Sequence, residues 1–142
     1  MNDDRYNGAG KYNNCFVCSP DNPVGLHMHN EPVDGKAHME IVPNKNMEGL
    51  NGLMHGGFSL MIMDEVMHYA VEAHGINCVT LHSDCDFVSP AYLDHKLVAE
   101  AWVERIDGKK YYTKGELKDG ENVVVRTTGL YYEVDMKNFL PE

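Results

Sequence analysis

Residues 52–65, GLMHGGFSLMIMDE, set His55, Gly56 and Gly57 ahead of an apolar run that closes on two adjacent carboxylates, Asp64 and Glu65. An unpaired carboxylate is costly to bury, so acids at the end of such a run call for a chemical reason. In helical spacing Asp64 shares a stripe with Gly57, Leu60, Met61, His68 and Val71. Glu65 lies about 100° further round the axis, on the stripe of Phe58, Met61, Ile62, Tyr69 and Glu72. The two acids therefore have different surroundings. The first N–H groups of a helix lack intrahelical partners, and the glycines let a ligand oxygen approach them closely. One such oxyanion donor is worth about 3–4 kcal/mol to an acyl-transfer transition state. A carboxylate two turns further on can act as general base or nucleophile. These parts are sufficient for acyl hydrolysis without a serine nucleophile. The plainer alternative is a Gly-Gly loop end and an Asp64 that pairs with a histidine or a backbone group.

A second group with chemical potential is Cys15-Phe-Val-Cys18, the spacing of a zinc site or a redox pair. With His27 and His29 a Cys2His2 set can be drawn. A single pair, with no ββα finger and no second Cys-x-x-Cys, is a weak signal. The expectation is that Cys15, Cys18, Cys78 and Cys85 are reduced thiols, with no metal and no cofactor.

Three Asp-Gly pairs punctuate the chain, at 34–35, 107–108 and 119–120. Asp-Gly suits the central positions of a type I′ turn, so each predicts a hairpin, and the sheet should be antiparallel. Residues 78–89 alternate, with Val79, Leu81, Cys85 and Phe87 on one face and Thr80, His82, Asp84 and Asp86 on the other. Residues 56–73 predict one long helix, apolar nearly all round and therefore buried. The expected order is β-β-α-β-β-β-β, an α+β domain with one helix against a curved antiparallel sheet. Residues 1–142 read as one domain, with arms at 1–20 and 136–142.

The net charge of −10 argues against nucleic acid as a partner. No apolar run approaches the roughly 20 residues of a membrane span, and the N-terminus lacks a signal-peptide layout. A cytoplasmic protein is expected. Seven of the twelve Lys and Arg lie between Lys96 and Arg126, where a phosphate-bearing ligand could meet them.

HGGFSLMIMDEVMHYA resembles the helix motif of the hotdog-fold acyl-CoA thioesterases, closest to the phenylacetyl-CoA and 4-hydroxybenzoyl-CoA thioesterase branch. CFVCSPDNPVGLHMH, GLNGLMHGG and VTLHSDCDFVSPAY are similar to other stretches of that family, in the same order. The resemblance implies a hotdog fold, an acyl-CoA thioester substrate, no cofactor, and a homodimer or homotetramer with shared active sites. It implies Asp64 as the catalytic acid, the Gly56 N–H as oxyanion donor, and His55 as a shaper of the acyl pocket. Gly57, Thr80 and Glu65 are the implied substrate-binding positions, with the Thr80 hydroxyl helping to place water. Gly49 stands where some members carry Asn or Gln. Lys96, Arg105, Lys109, Lys110 and Arg126 are candidates to meet CoA phosphates. Phe58, Met61, Met63, Met67 and Tyr69 could line an acyl tunnel, although most are expected to be core. A non-catalytic binder of acyl ligands is the main alternative, and a Cys/His metal or redox module a further one.

Overall fold

A computed structural model describes residues 14–141. Five strands form one antiparallel sheet: β1 (Ala37–Ile41), β2 (Cys78–Phe87), β3 (Leu97–Asp107), β4 (Lys110–Asp119) and β5 (Asn122–Glu133), in the order β1-β3-β4-β5-β2. Helix α1 (Gly56–Glu72) lies against one face, chiefly on β3 and β4, and α2 (Met136–Phe139) is a single turn. This is the expected hotdog arrangement.

Alternation along the central strands supplies the core. Leu97, Ala99 and Ala101 of β3, Tyr111 and Leu117 of β4, and Val125 and Tyr131 of β5 meet Ile62, Met63, Val66 and Met67 of α1. Small residues mark the helix crossing. A Cβ on Gly115 would stand 2.7 Å from Met63 Cε, and one on Gly129 would stand 3.1 Å from Met67 Sδ. The methionines occupy the space those glycines leave.

Four expectations need revision. The segment before Asp34-Gly35 is not a strand; it makes one isolated bridge, Val33 to Lys36. His27 has a φ of 52°, outside the β region, Pro32 has no N–H, and the N–H groups of Leu26 and Met28 bond to Phe16 and Val17 instead. Of the three Asp-Gly pairs only Asp34-Gly35 has both residues at positive φ, as a type I′ turn requires. At the other two, Asp107 and Asp119 end their strands, and Gly108 and Gly120 open the loops at φ 59° and 61°, the demand of a II′ turn. In β2 the register shifts between Thr80 and His82, so Leu81 is the extra residue of a bulge. Thr80 therefore pairs with Tyr131 on the helix face, as Cys85 and Phe87 do with Thr127 and Val125. Finally, α1 is not buried all round: Leu60 and Met61 are exposed, on the stripe that carries Asp64.

The arm expected over residues 1–20 lies partly outside the described residues. Within them Val17 and Cys18 are buried in the core, and the tail contains the α2 turn. Among the described residues no helix is long and apolar enough to cross a membrane.

Candidate active site

Helix α1 begins on a histidine cap. His55 Nδ1 accepts a hydrogen bond from the Gly57 N–H at 2.8 Å, the role usually taken by a small polar side chain. Gly49 permits this approach, since a Cβ there would meet His55 Cα at 2.9 Å. Gly49 thus lets the 49–54 loop pack on the cap. Because His55 uses the Gly57 N–H, the group left at the helix start is the Gly56 N–H, for which no hydrogen-bond partner is found among the described residues. The Phe87 ring covers this glycine, its Cε1 3.1 Å from where a Cβ would be.

Two turns further, Asp64 Oδ1 accepts hydrogen bonds from Thr80 Oγ1 and from Tyr131 Oη, each at 2.8 Å. Tyr131 Oη also lies 3.0 Å from the Asp64 carbonyl oxygen. Both hydroxyls act on Oδ1, so Oδ2 is the oxygen able to face a reacting group. Tyr131 is fully buried, and burial together with the Asp64 charge pushes its phenol pKa up, so it stays a protonated donor. Its ring meets His68 in a T-shaped contact, with centroids 5.9 Å apart. Burial opposes the charge on His68, but hydrogen bonds to Cys78 and to Glu72, at 2.7 Å, outweigh it and raise the imidazole to about 10.

Sequence reasoning did not single out Tyr131. The available signal was a tyrosine on the inward register of β5, because a buried tyrosine hydroxyl requires a partner. Thr80 stands against Asp64 because the Leu81 bulge turns it to the helix face.

Glu65 is apart from this group. Its Oε1 lies 3.6 Å from Cys15 Sγ, and the ligating atoms of Cys15, Cys18 and Glu65 all lie within 4.8 Å of one another. Burial pushes Glu65 up to about 7. The Cys18 thiol, backed by the N–H groups of Cys18 and Val17, holds Cys15 down to about 5 against the effect of burial. His27 and His29 are not in this cluster; with Glu31 and His38 they line a separate depression. The cationic candidates are dispersed. Lys96 pairs with Glu40 at 3.2 Å, Arg105 stacks on Tyr112 at 3.9 Å, and Arg126 lies 4.0 Å from Glu116 on the sheet face away from α1. Lys109 and Lys110 are at the β3–β4 turn. Of the residues considered for an acyl tunnel, Met63, Met67 and Tyr69 are core, whereas Met61 is exposed and Phe58 borders a groove with Phe16, Leu26 and Met47.

A sequence profile described as the thioesterase superfamily matches residues 51–126, more than half of the chain. The chain belongs to the thioesterase superfamily. The matched span holds the His55 cap, Asp64 and Thr80, and leaves out Tyr131 and the Cys15–Cys18 segment. Three solved structures show the same fold as this thioesterase superfamily chain. The E. coli PaaI protein from the phenylacetic acid degradation operon aligns at a TM-score of 0.73 and 20% identity, over 78% of this chain and 81% of its own. A thioesterase superfamily protein aligns at 0.80 and 25% identity, over 91% of this chain and 64% of its own. A Streptococcus mutans UA159 protein bound to acetyl CoA aligns at 0.71 and 14% identity, over 75% and 88%. An uncharacterized Schizosaccharomyces pombe protein is 29% identical over 77 residues, so the chain spans 44% of the length of that curated relative.

Proposed function

We propose that this protein hydrolyses an acyl-CoA or related thioester, with Asp64 as base or nucleophile and the Gly56 N–H as oxyanion donor. The observation that carries the reading is the Asp64 carboxylate, fixed through one oxygen by two hydroxyls and left with the other. A binder of acyl ligands has no use for an acid held in this way. Membership of the thioesterase superfamily supports the same chemistry, and a neighbour of the same fold bound to acetyl CoA is in keeping with the ligand class.

The site is shared between two subunits of a homodimer. Gly56 and Asp64 are eight residues apart on one helix, so about 12 Å of axial rise separates them. A thioester carbonyl with both groups at reacting distance, about 3 Å, cannot lie between the two on a single chain. A second copy resolves this by placing its own Asp64 near the first copy's Gly56. The surface around the acid suits such a partner. Leu60 and Met61 on α1, and Leu81, Phe87 and Val88 at the β2 edge, are exposed large hydrophobic residues, and β2 ends the sheet.

Hydrolysis over a panel of short, long and aromatic acyl-CoAs, followed by thiol release, tests the reading. Wild type should turn over at least one member. Asp64→Asn should lower kcat by about 10²–10⁴-fold, the range of positioned acid–base catalysis, while remaining folded. A wild type that binds CoA esters and hydrolyses none would assign the fold to binding instead.

A further inference from the structure

The sequence pairs Cys15 and Cys18 with His27 and His29 on paper, but the fold brings those thiols to Glu65, 50 residues along the chain from Cys15. Both cysteines are free thiols, and Cys18 is fully buried. The backbone N–H of Cys18 points at Cys15 Sγ from 3.3 Å, a contact that favours sulfur in its thiolate form. Glu65 faces the two sulfurs from α1; no lysine or arginine among the described residues pairs with it, and His68, whose charge acts on it, is bonded to Glu72. A carboxylate enclosed with two thiols is poorly satisfied, because S–H is a weak donor. The spacing suits a different partner. Zinc bonds sulfur at about 2.3 Å and carboxylate oxygen at about 2.0–2.2 Å, which sets tetrahedral neighbours roughly 3.5–3.8 Å apart. Cys15 Sγ and Glu65 Oε1 are 3.6 Å apart, and the third ligand is within 4.8 Å of both.

We propose that Cys15, Cys18 and Glu65 form a site for one thiophilic divalent cation of the zinc class, with a fourth position taken by water. On binding, any proton still carried by the two sulfurs or by the Glu65 carboxyl passes to solvent as those atoms bond the cation, and the three anionic ligands meet the double positive charge. The cation ties the 14–33 segment, which holds no helix or regular strand, to the middle of α1. The site is separable from the hydrolase reading: Glu65, implied as a substrate-binding position, faces the thiols instead, and the ligands include neither Asp64 nor any group that holds Asp64.

The test uses the whole protein, purified under reducing conditions without added metal, stripped with a chelator and titrated anaerobically with Co²⁺ and then Zn²⁺. One equivalent of cobalt should bind, with a near-ultraviolet sulfur-to-cobalt charge-transfer band that zinc abolishes, and zinc should raise Tm. Cys15→Ser should lose much of the band, and Glu65→Gln should weaken zinc binding by at least about 10-fold. Cys15→Ser changes a part-exposed side chain, so it stays informative if a change at buried Cys18 prevents folding. A reduced wild type that takes up no stoichiometric cobalt overturns the proposal, whether or not the thiols oxidise to a disulfide in air. Zinc binding unaffected by Glu65→Gln removes Glu65 from the ligand set and overturns it as stated.

Discussion

At the scale of single residues, Asp64 depends on two hydroxyls that arrive from different strands. A hydrogen bond to a charged group contributes about 1.5–3 kcal/mol, so its loss in the transition state corresponds to roughly 10–100-fold in rate. Thr80→Val and Tyr131→Phe should each lower kcat by that order, with less change in KM, because both hydroxyls are bonded to Asp64 Oδ1 and orient the acid. Steady-state kinetics on the best substrate of the panel would read this, and an effect confined to KM would contradict the positioning role. His68 gives a prediction about stability. Its imidazole is raised from an ordinary 6.5 to about 10. A raised folded-state value means that the stabilisation is fully present below the unfolded value and is lost as pH rises through the folded one. Glu72→Gln should therefore destabilise the protein near pH 7, and the difference from wild type should fade as pH approaches about 10. Denaturant melts at several pH values would measure it.

At the scale of elements, α1 and the sheet touch through glycines that admit methionine side chains. A Cβ on Gly129 would meet Thr113 Oγ1 at 2.7 Å and the Tyr131 ring at 2.8 Å. Gly129→Ala should thus cost about 1–3 kcal/mol by overpacking. It should also depress activity, because the displaced ring carries the hydroxyl that holds Asp64; Tm and kcat measured together would show whether the losses coincide. Much of this layer was legible in the sequence. The apolar run from Phe58 to Met63 announced the helix, the Asp-Gly pairs at 107 and 119 announced the hairpins, and Asp64 stood out as an acid in apolar company. The rest depended on non-local or irregular geometry. A bulge at Leu81 has no period, so simple alternation assigned Thr80 to the wrong face. Tyr131 reaches Asp64 across 67 residues, and Glu65 reaches Cys15 across 50. No spacing rule spans such separations. Histidines near in sequence, His27 and His29, were the obvious partners for the thiols, yet the turn at Asn22–Gly25 and the positive φ of His27 take that stretch elsewhere.

At the scale of the whole molecule, the central claim is that hydrolysis needs Gly56 of one subunit and Asp64 of another. A pair of variants separates this from a site within one chain. Asp64→Asn removes the acid, and Gly56→Pro removes the N–H at the first helical position, where proline is tolerated. His55 already has φ −57° and ψ 134°, the extended conformation that a following proline requires. The new ring would press on Phe87, a residue of the surface assigned to the partner subunit, so dimer formation by Gly56→Pro is checked alongside its activity. Each variant alone should be folded and nearly inactive. When the two are unfolded and refolded together, half of the dimers should be mixed, and each mixed dimer should hold one intact site, giving about a quarter of wild-type activity. The decisive measurement is thioester hydrolysis by that mixture. Recovery toward a quarter of wild type is the predicted result. A mixture as inactive as its parents, although mixed dimers form, would contradict the shared site.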